Sequence, residues 1–74
     1  MKACSTPQYI ITNDLKGIRK ANQLSQQKLA KSVGADRQTI IKIEKGGSPE
    51  LWLAFAIARY FKMDINDVFF CEIL

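Results

Sequence analysis

Gly34 separates two short segments whose apolar residues recur at helical spacing. The first segment, residues 26–33, follows Ser25, and the second, residues 37–45, follows Asp36. Ser and Asp side chains cap the free N–H groups in the first turn of a helix, and glycine adopts the positive φ at which many helices end. The sequence therefore predicts two helices joined by a tight turn.

These two segments have the residues that two closely crossing helices need. Ala30 is small enough to lie against the neighbouring helix, and Gly34 supplies an unstrained left-handed residue in the turn. The apolar side chains that can hold the crossing are Leu29, Val33, Ala35, Ile40 and Ile43. The pattern predicts a helix-turn-helix over about residues 26–45. A helical hairpin that packs only for stability is the alternative interpretation.

A further helix is expected on the N-terminal side of this motif. It begins near Asp14, after a cap at Thr12 or Asn13, and it fades near residues 22–23. The residues expected on its buried face are Leu15, Ile18 and Ala21.

Two more helices are expected after the motif. Ser48 is a candidate cap and Pro49 a candidate first helical residue for a fourth helix, which runs to about Phe61. Asp64 is expected to cap a short fifth helix that ends at residue 67 or 68.

Both ends of the chain carry β-branched and aromatic residues that are typical of strands. We expect one strand over residues 8–12 and a second over residues 68–74, paired in a small antiparallel sheet. The predicted fold class is therefore mainly α, with five helices and a two-stranded sheet. Because the chain has 74 residues, residues 1–74 are expected to form a single domain.

Positive charge is concentrated in the middle of the chain. Between Lys16 and Lys45 there are eight basic and two acidic residues, a net charge of +6, whereas the remaining residues sum to −2. This asymmetry suits a polyanionic partner on one face, and it suits an ordinary solvated surface equally well.

The helix after the turn has one face that lies away from its buried residues, Ile40 and Ile43. Its outward residues are Arg37, Gln38, Ile41, Lys42 and Lys45. Arg can bind O6 and N7 of guanine, Gln can pair with N6 and N7 of adenine, and an apolar side chain can contact the thymine methyl group. This face can therefore read base edges in DNA. The alternatives are partial burial of the isoleucine and simple solvation of the lysines.

The stretch Leu24–Gly46 resembles the helix-turn-helix of the XRE family, the phage-repressor and Cro-type regulators. The similarity extends over about residues 13–69 and includes the stretch Pro49–Ala58. The resemblance implies a repressor-like five-helix bundle that regulates transcription by binding double-stranded DNA. Together with the outward face, it gives the expected DNA-contacting residues: Gln26, Gln27, Arg37, Gln38, Thr39, Ile41, Lys42 and Lys45.

The resemblance also implies particular roles for three side chains. Gln26 is expected to bond a backbone phosphate and to brace the first residue of the recognition helix. Arg19 and Glu44 match a pair that ties the first helix to the end of the third, and we expect this ion pair to be partly buried and structural.

One recognition helix supplies little discrimination against a whole genome. Three base contacts at about 1–3 kcal/mol each give roughly 3–9 kcal/mol, against about 10⁶–10⁹ competing sites. We therefore expect a homodimer on a palindromic operator, with half-sites about 34 Å apart. The expected dimer interface comprises Trp52, Phe69, Phe70, Cys71, Ile73 and Leu74. A tail strand that only closes the monomer core is the alternative.

Other classes of function lack the residues that they need. The chain has no histidine, and its two cysteines, Cys4 and Cys71, are expected to be free thiols. No metal site, cofactor motif, catalytic group or effector pocket is evident, so we expect no enzyme. The chain shows no signal peptide or membrane span, and we expect a cytoplasmic protein. The alternative function is an antitoxin-like or other protein-interaction module that also binds DNA.

Overall fold

The computed structural model describes residues 8–73, which form a strand, five helices and a second strand. The elements are β1 (Tyr9–Asn13), α1 (Leu15–Ala21), α2 (Gln26–Val33), α3 (Arg37–Glu44), α4 (Leu51–Tyr60), α5 (Ile65–Val68) and β2 (Phe69–Ile73). The predicted mainly α fold, with five helices and a small antiparallel sheet, is confirmed.

Three helices begin where the sequence provides a capping side chain. A side-chain oxygen at each cap accepts a backbone N–H that the first turn of the helix leaves free. The caps are Ser25, Asp36 and Asp64, which accept the N–H groups of Lys28, Thr39 and Asn66 at 3.0, 2.9 and 3.0 Å. The starts of α2, α3 and α5 are therefore determined locally.

Four helices end at a residue in the left-handed conformation. Gly34 (φ 83°) and Gly46 (φ 106°) follow α2 and α3, and Gln23 and Lys62 (both φ 58°) follow α1 and α4. After each end, a backbone N–H returns to a carbonyl five residues earlier, as in a Schellman motif. These bonds join Leu24 to Arg19, Ala35 to Ala30, Gly47 to Lys42 and Met63 to Ala58, at 2.8–3.1 Å.

The core lies between the helices and includes the first residue of β2. The buried apolar residues are Leu15, Leu29, Ala30, Val33, Ile40, Ile43, Leu53, Ala54, Ile57, Ala58, Val68 and Phe69. Of the five residues predicted to hold the crossing of α2 and α3, four belong to this core, and Ala35 is half-buried beside it.

The two strands pair antiparallel. Tyr9 lies opposite Ile73, and Ile11 lies opposite Cys71. Because side chains alternate between the faces of a sheet, these four residues share one face. Phe69 shares that face too, and it is the residue at which the sheet enters the core.

Asn13 attaches the sheet to the helices. Its Nδ2 donates to the carbonyl oxygen of Ile43 near the end of α3 at 2.8 Å. Its Oδ1 accepts the N–H of Leu15 at 3.0 Å. One side chain therefore joins β1, the start of α1 and the end of α3.

The predicted start of α4 is wrong by two residues. Glu50, not Ser48, is the N-cap, and the helix begins at Leu51. The carbonyl oxygen of Glu50 accepts the first helical hydrogen bond, from Ala54 at 2.9 Å. Pro49 precedes the helix, where its lack of an N–H donor is equally harmless.

Four smaller predictions also need correction. β1 and β2 are Tyr9–Asn13 and Phe69–Ile73 rather than residues 8–12 and 68–74, because Val68 completes α5 with its side chain buried. Ala21 is exposed, because Arg19 takes the inward position four residues after Leu15. Asp14, rather than Thr12 or Asn13, is the N-cap of α1, and Lys45 is the C-cap of α3 rather than its last residue.

Candidate nucleic-acid interface

One side of α3 faces solvent along its whole length. The buried residues Ile40 and Ile43 lie on the other side, and successive residues turn by about 100° around the helix. The solvent side carries Arg37, Gln38, Ile41, Lys42 and Lys45, of which Ile41 is half-buried and the others are exposed. We call these five residues the recognition face. The structure brings them together as the sequence predicted.

Asp36 fixes the first turn of α3. Its Oδ1 accepts the N–H of Thr39 at 2.9 Å and the hydroxyl of the same residue at 2.8 Å. The backbone hydrogen bond from Thr39, then the hydroxyl bond, lowers the pKa of Asp36 below its ordinary value. Asp36 is therefore ionised at neutral pH, and the Thr39 hydroxyl proton is already used within the chain.

An ion pair with α1 holds the other end of α3. Arg19 Nε donates to Glu44 Oε2 at 2.6 Å, and Nη2 donates to Oε1 at 3.2 Å. The side chains are 9% and 4% exposed. Arg19 Nη1 also donates to the carbonyl oxygen of Leu24 at 2.8 Å. The structure thus contains the buried ion pair that the resemblance implied.

The environment of Glu44 favours its charged form. Burial by itself would raise the pKa of this carboxyl. Hydrogen bonds from Arg19 and Gln26 and the positive charges of Arg19 and Lys16 outweigh burial, and they hold the pKa of Glu44 below its ordinary value. The end of α3 therefore carries a carboxylate that is fully engaged by neighbours.

Gln26 contacts the end of α3. Its Nε2 donates to Glu44 Oε1 at 3.1 Å. Among the described residues this is the hydrogen bond that the Gln26 side chain makes, and the expected brace on Arg37 stays a prediction. Gln26 is half-buried, and the next residue, Gln27, is exposed.

The surface around the recognition face is basic. Four lysines of α1 and α2 have exposed side chains: Lys16, Lys20, Lys28 and Lys31. Because Arg19 and Glu44 neutralise each other in the interior, the surface charge of residues 16–45 comes from seven basic residues and Asp36. Such a surface attracts a polyanion at long range.

The tail-strand residues predicted for a dimer interface differ in their exposure. Phe69 is 8% exposed and belongs to the core of its own chain, so little of it is available to a second subunit. Phe70 (39% exposed), Ile73 (66%) and the free cysteine Cys71 face solvent. Leu74, like Cys4, lies outside the described residues.

Trp52, the other residue predicted for the dimer interface, lies in the first turn of α4. The indole lines a surface depression beside α3, together with Asp36 and Thr39 among other residues. Its Nε1 donates to Glu50 Oε1 at 2.6 Å, and the residue is 52% exposed.

Sequence reasoning missed two polar groups that position α3. These are the Asn13 side chain, expected only as a helix cap, and the Leu24 carbonyl, which binds Arg19. The β1 position of Asn13 was the available signal, because an amide so close to a buried helix end can satisfy a free carbonyl. No side-chain pattern identifies the Leu24 carbonyl.

The described part of the chain, residues 8–73, shows neither a membrane-spanning helix nor a metal-binding cluster. No helix in this range is long and apolar enough to cross a membrane. No group of three or more acidic, Cys or His side chains among these residues is arranged to hold a metal ion.

Together these features define a helix-turn-helix module. Its parts are the crossed helices α2 and α3, the left-handed turn at Gly34 and the exposed basic face of α3. The HTH_3 family model, described as Helix-turn-helix, matches residues 15–68. The chain therefore belongs to this XRE-type helix-turn-helix family, as its resemblance predicted. The family consists of DNA-binding transcriptional regulators and not of enzymes.

Relatives with high sequence identity bear the same description. The uncharacterized HTH-type transcriptional regulator MJ0272 of Methanocaldococcus jannaschii is 51% identical over 61 residues, which cover 81% of this chain and 92% of the relative. The uncharacterized HTH-type transcriptional regulator YgzD of Bacillus subtilis is 44% identical over 61 residues, with the same coverage. The crystal structure of the transcriptional regulator VanUg shares the fold, with a TM-score of 0.76, 16% identity and full coverage of both chains.

Proposed function

We propose that this chain is a transcriptional repressor that reads a palindromic operator in the major groove as a homodimer. The observation that carries this proposal is the recognition face: four side chains of α3 and that of its C-cap, Lys45, lie on the side of the helix away from Ile40 and Ile43. An α-helix fits the major groove, where each base pair presents a distinct pattern of donors and acceptors.

Each residue of the recognition face has a chemical role in this proposal. Arg37 binds the O6 and N7 of guanine, and Gln38 pairs with adenine. The exposed part of Ile41 contacts a thymine methyl group. Lys42 and Lys45 bind guanine or neighbouring phosphates.

The start of α2 supports the approach to the DNA backbone. Gln27, Lys28 and Lys31 are exposed on this helix, and we assign them to phosphate contacts. Gln26 donates one amide N–H to Glu44, which leaves its carbonyl oxygen and its second N–H for a bridging water or a phosphate. These contacts position the chain and do not distinguish sequences.

The interactions at both ends of α3 preorganise the reading helix. Asp36 fixes the first turn, and Arg19 fixes the last turn through Glu44. A helix already held in position loses little conformational entropy when it binds. The free energy of base contact is then available for affinity and discrimination.

Repression is the simplest consequence of operator occupancy. A dimer on two half-sites one helical turn apart excludes other proteins from the same DNA, and it needs no further activity to do so. We place this action in the cytoplasm, together with the DNA.

Selection of bound sites from a random DNA library, with the purified full chain, tests the proposal. We expect an enriched two-fold palindrome whose half-site centres are about 10 base pairs apart, with affinity falling steeply as salt rises. The double variant Arg37→Ala/Gln38→Ala is the matched control and should lose the enriched sequence. Recovery of unenriched DNA by the unmodified chain would exclude sequence-specific regulation.

An apolar stripe on α4 favours a second candidate function, docking of a protein partner as in an antitoxin. Leu51, Trp52 and Phe55 are 72%, 52% and 49% exposed. A variant with Leu51→Glu and Phe55→Glu should bind the operator normally in vitro. If it also regulates normally in cells, protein docking through this stripe is discarded.

A further inference from the structure

We propose that two copies of the chain pair through the outer edges of β2, antiparallel, about a two-fold axis at Cys71. The four strands of the two copies then form one sheet. This inference rests on the proposed homodimer and names the surface that forms it.

The backbone of Cys71 is directed away from β1. The N–H of Asp14 donates to the carbonyl oxygen of Val68 at 3.0 Å, immediately beyond the last pair of the sheet. In an antiparallel ladder, the residues that bond the neighbouring strand alternate with residues whose N–H and C=O point to the other side. The bonds to β1 therefore come from Phe70 and Glu72, and Cys71 and Ile73 present their groups to the outer edge.

An independent contact supports this alternation. The N–H of Phe69 donates to the carbonyl oxygen of Ile65 in α5, and not to β1. Phe69 is thus also directed outward, two residues before Cys71. Among residues 8–73, the outer edge of β2 is used by α5 at its first residue and pairs with no strand at Cys71 and Ile73.

An open edge of this composition needs a partner strand. A two-stranded sheet is marginally stable by itself, and unpaired N–H and C=O groups on an apolar edge form a template for another strand. Cys71 and Ile73 are exposed beside this edge, and β2 carries one charged residue, Glu72, with no lysine or proline that would block pairing.

The overlap of the two β2 strands and the position of Glu72 determine which register we propose for the pair. An axis at Cys71 places Phe69 opposite Ile73 of the partner and Phe70 opposite Glu72 of the partner. The N–H of Phe69 stays bonded to Ile65, so Phe69 offers the partner strand its carbonyl oxygen alone. An axis at Glu72 would place two carboxylates directly opposite each other, which is unfavourable. An axis at Phe70 would leave Ile73 without a partner in the β2 of the other copy. The axis at Cys71 has neither defect.

A second copy fits β2 better than it fits the edge of β1. In β2, the residues on the face of Cys71 are all apolar, and the small thiol lies at the axis. The same pairing of β1 would place Asn13 opposite Tyr9 of the partner. The Asn13 side chain already donates to Ile43 and accepts from Leu15, so it would gain nothing from a second strand.

The proposed sheet is coupled directly to the recognition helices. Asn13 of β1 donates to the carbonyl of Ile43, which lies in the last turn of α3. The dimer axis and the recognition face are therefore joined through one strand and one hydrogen bond in each copy. This connection lets the sheet set the separation of the two reading helices.

Replacement of Cys71 by proline tests the pairing. Because the N–H of Cys71 points outward, Cys71→Pro keeps the bonds between β1 and β2 and blocks the outer edge. Sedimentation at tens of micromolar should give a dimer for the natural chain and for Cys71→Val, and a folded monomer for Cys71→Pro. The affinity for a palindromic operator should fall about 10²-fold or more in the proline variant.

The edge of β1 provides a matched control. The backbone of Tyr9 is also directed outward, and its side chain is 57% exposed. Tyr9→Pro should therefore remain a dimer. If Tyr9→Pro is monomeric and Cys71→Pro is dimeric, the pairing involves β1 and our assignment is wrong.

Disulfide formation tests the register without dependence on folding of the proline variant. In a Cys4→Ser background, diamide takes up the two hydrogens of the Cys71 thiols as the disulfide forms. An antiparallel pair at the axis has a Cα separation of about 5.5 Å, within the range for a disulfide. Cysteines moved to position 73, by Ile73→Cys with Cys71→Ser, would lie about 13 Å apart along the strands and should not link.

The outcomes separate this inference from the proposed function. A dimer that links through Cys71 but selects no DNA sequence would preserve the pairing and overturn the regulator. Selection of a palindrome by a dimer that Cys71→Pro leaves intact, or equal linking at positions 71 and 73, would preserve the regulator and overturn the pairing.

Discussion

Arg19 and Glu44, 25 residues apart in the sequence, are joined by two hydrogen bonds at 2.6 and 3.2 Å. Arg19 lies in the helix before the helix-turn-helix, and Glu44 is the last residue of the recognition helix. Because Arg19 also binds the Leu24 carbonyl between α1 and α2, one guanidinium fixes both the approach to α2 and the end of α3.

Removal of Arg19 should therefore be costly. Arg19→Ala leaves a buried carboxylate with Gln26 as its remaining side-chain donor. Breaking a buried ion pair in this way costs about 3–5 kcal/mol, a large part of the roughly 4–11 kcal/mol expected for a domain of this size. Urea unfolding followed by far-ultraviolet circular dichroism measures the loss.

Two controls identify the cause of that loss. Lys16→Ala removes an exposed charge near Glu44 and should change the free energy of unfolding by less than about 0.5 kcal/mol. The double change Arg19→Met/Glu44→Leu removes both charges and should recover much of the stability. Equal losses in Arg19→Ala and the double variant would show that packing, rather than an unpaired carboxylate, is responsible.

The stability of the chain should fall in acid because of Glu44. The folded state holds the pKa of Glu44 below its ordinary value, so the unfolded chain takes up a proton first. The stabilisation is complete above the ordinary glutamate pKa, about 4.5, and is lost as the pH falls through the lower pKa of the folded state. Urea unfolding of Glu44→Gln should show a lower free energy at pH 7 and a shallower decline between pH 5 and pH 3. An unchanged decline would assign the acid sensitivity to other carboxyls, such as Asp36, whose pKa is lowered too.

The parts of the fold that the sequence predicted are those with a local signal. Ser25 and Asp36 cap the helices that follow them, and Gly34 and Gly46 adopt the left-handed conformation that ends α2 and α3. In each case the residue that fixes the boundary acts on backbone groups within a few positions. The recognition face follows from these boundaries, because helical periodicity then assigns every side chain of α3 to a side.

The features that the sequence did not predict depend on contacts between distant segments or on backbone strain. Gln26 was expected near the start of α3, but its partner is Glu44, 18 residues away. The ends of α1 and α4 lie close to their predicted positions, but the sequence did not predict that Gln23 and Lys62, which follow these helices, adopt positive φ. Only the surrounding fold holds such residues in that conformation, so nothing in the local sequence indicates it.

Replacing either of these two left-handed residues by glycine should stabilise the chain. A non-glycine residue in this conformation costs about 1–2 kcal/mol, and glycine avoids most of that cost. Gln23→Gly and Lys62→Gly should each raise the free energy of unfolding by up to about 1 kcal/mol in urea. The reverse change at Gly34, Gly34→Ala, meets no atom within 4 Å and should lower stability by about 1 kcal/mol through backbone strain alone. A destabilising Gln23→Gly would mean that the glutamine side chain contributes more than its conformation costs.

Arg37 and Lys28 should affect DNA binding in different ways. Arg37→Ala should remove about 1–3 kcal/mol of preference at one base pair in each half-site and leave the other positions unchanged. Lys28→Ala should weaken all sequences alike and reduce the slope of log affinity against log salt by about 1 per chain. Competition binding with single-base variants of the selected operator measures both effects.

Arg59 provides the charge control for this pair. It is exposed on α4, outside the basic segment, so Arg59→Ala removes the same charge without removing an assigned contact. We expect Arg59→Ala to bind with nearly natural affinity and preference. If its affinity falls as far as that of Lys28→Ala, net charge rather than position governs the binding.

The hydrogen bond that Asn13 Nδ2 donates to Ile43 should be the contact by which Asn13 holds the sheet to the recognition helix. Asn13→Asp keeps an oxygen for the N–H of Leu15 but places a second oxygen against the carbonyl of Ile43, which accepts from Asn13 Nδ2 at 2.8 Å. At pH 7 this variant should lose about 1–2 kcal/mol of unfolding free energy despite the acid near the start of α1. Protonation restores a donor, so the difference from the natural chain should narrow at pH 4 and below, whereas that of Asn13→Ala should stay constant. Urea unfolding of both variants at pH 7 and pH 4 gives the comparison, and a pH-independent difference in Asn13→Asp would mean that the Ile43 hydrogen bond does not attach the sheet.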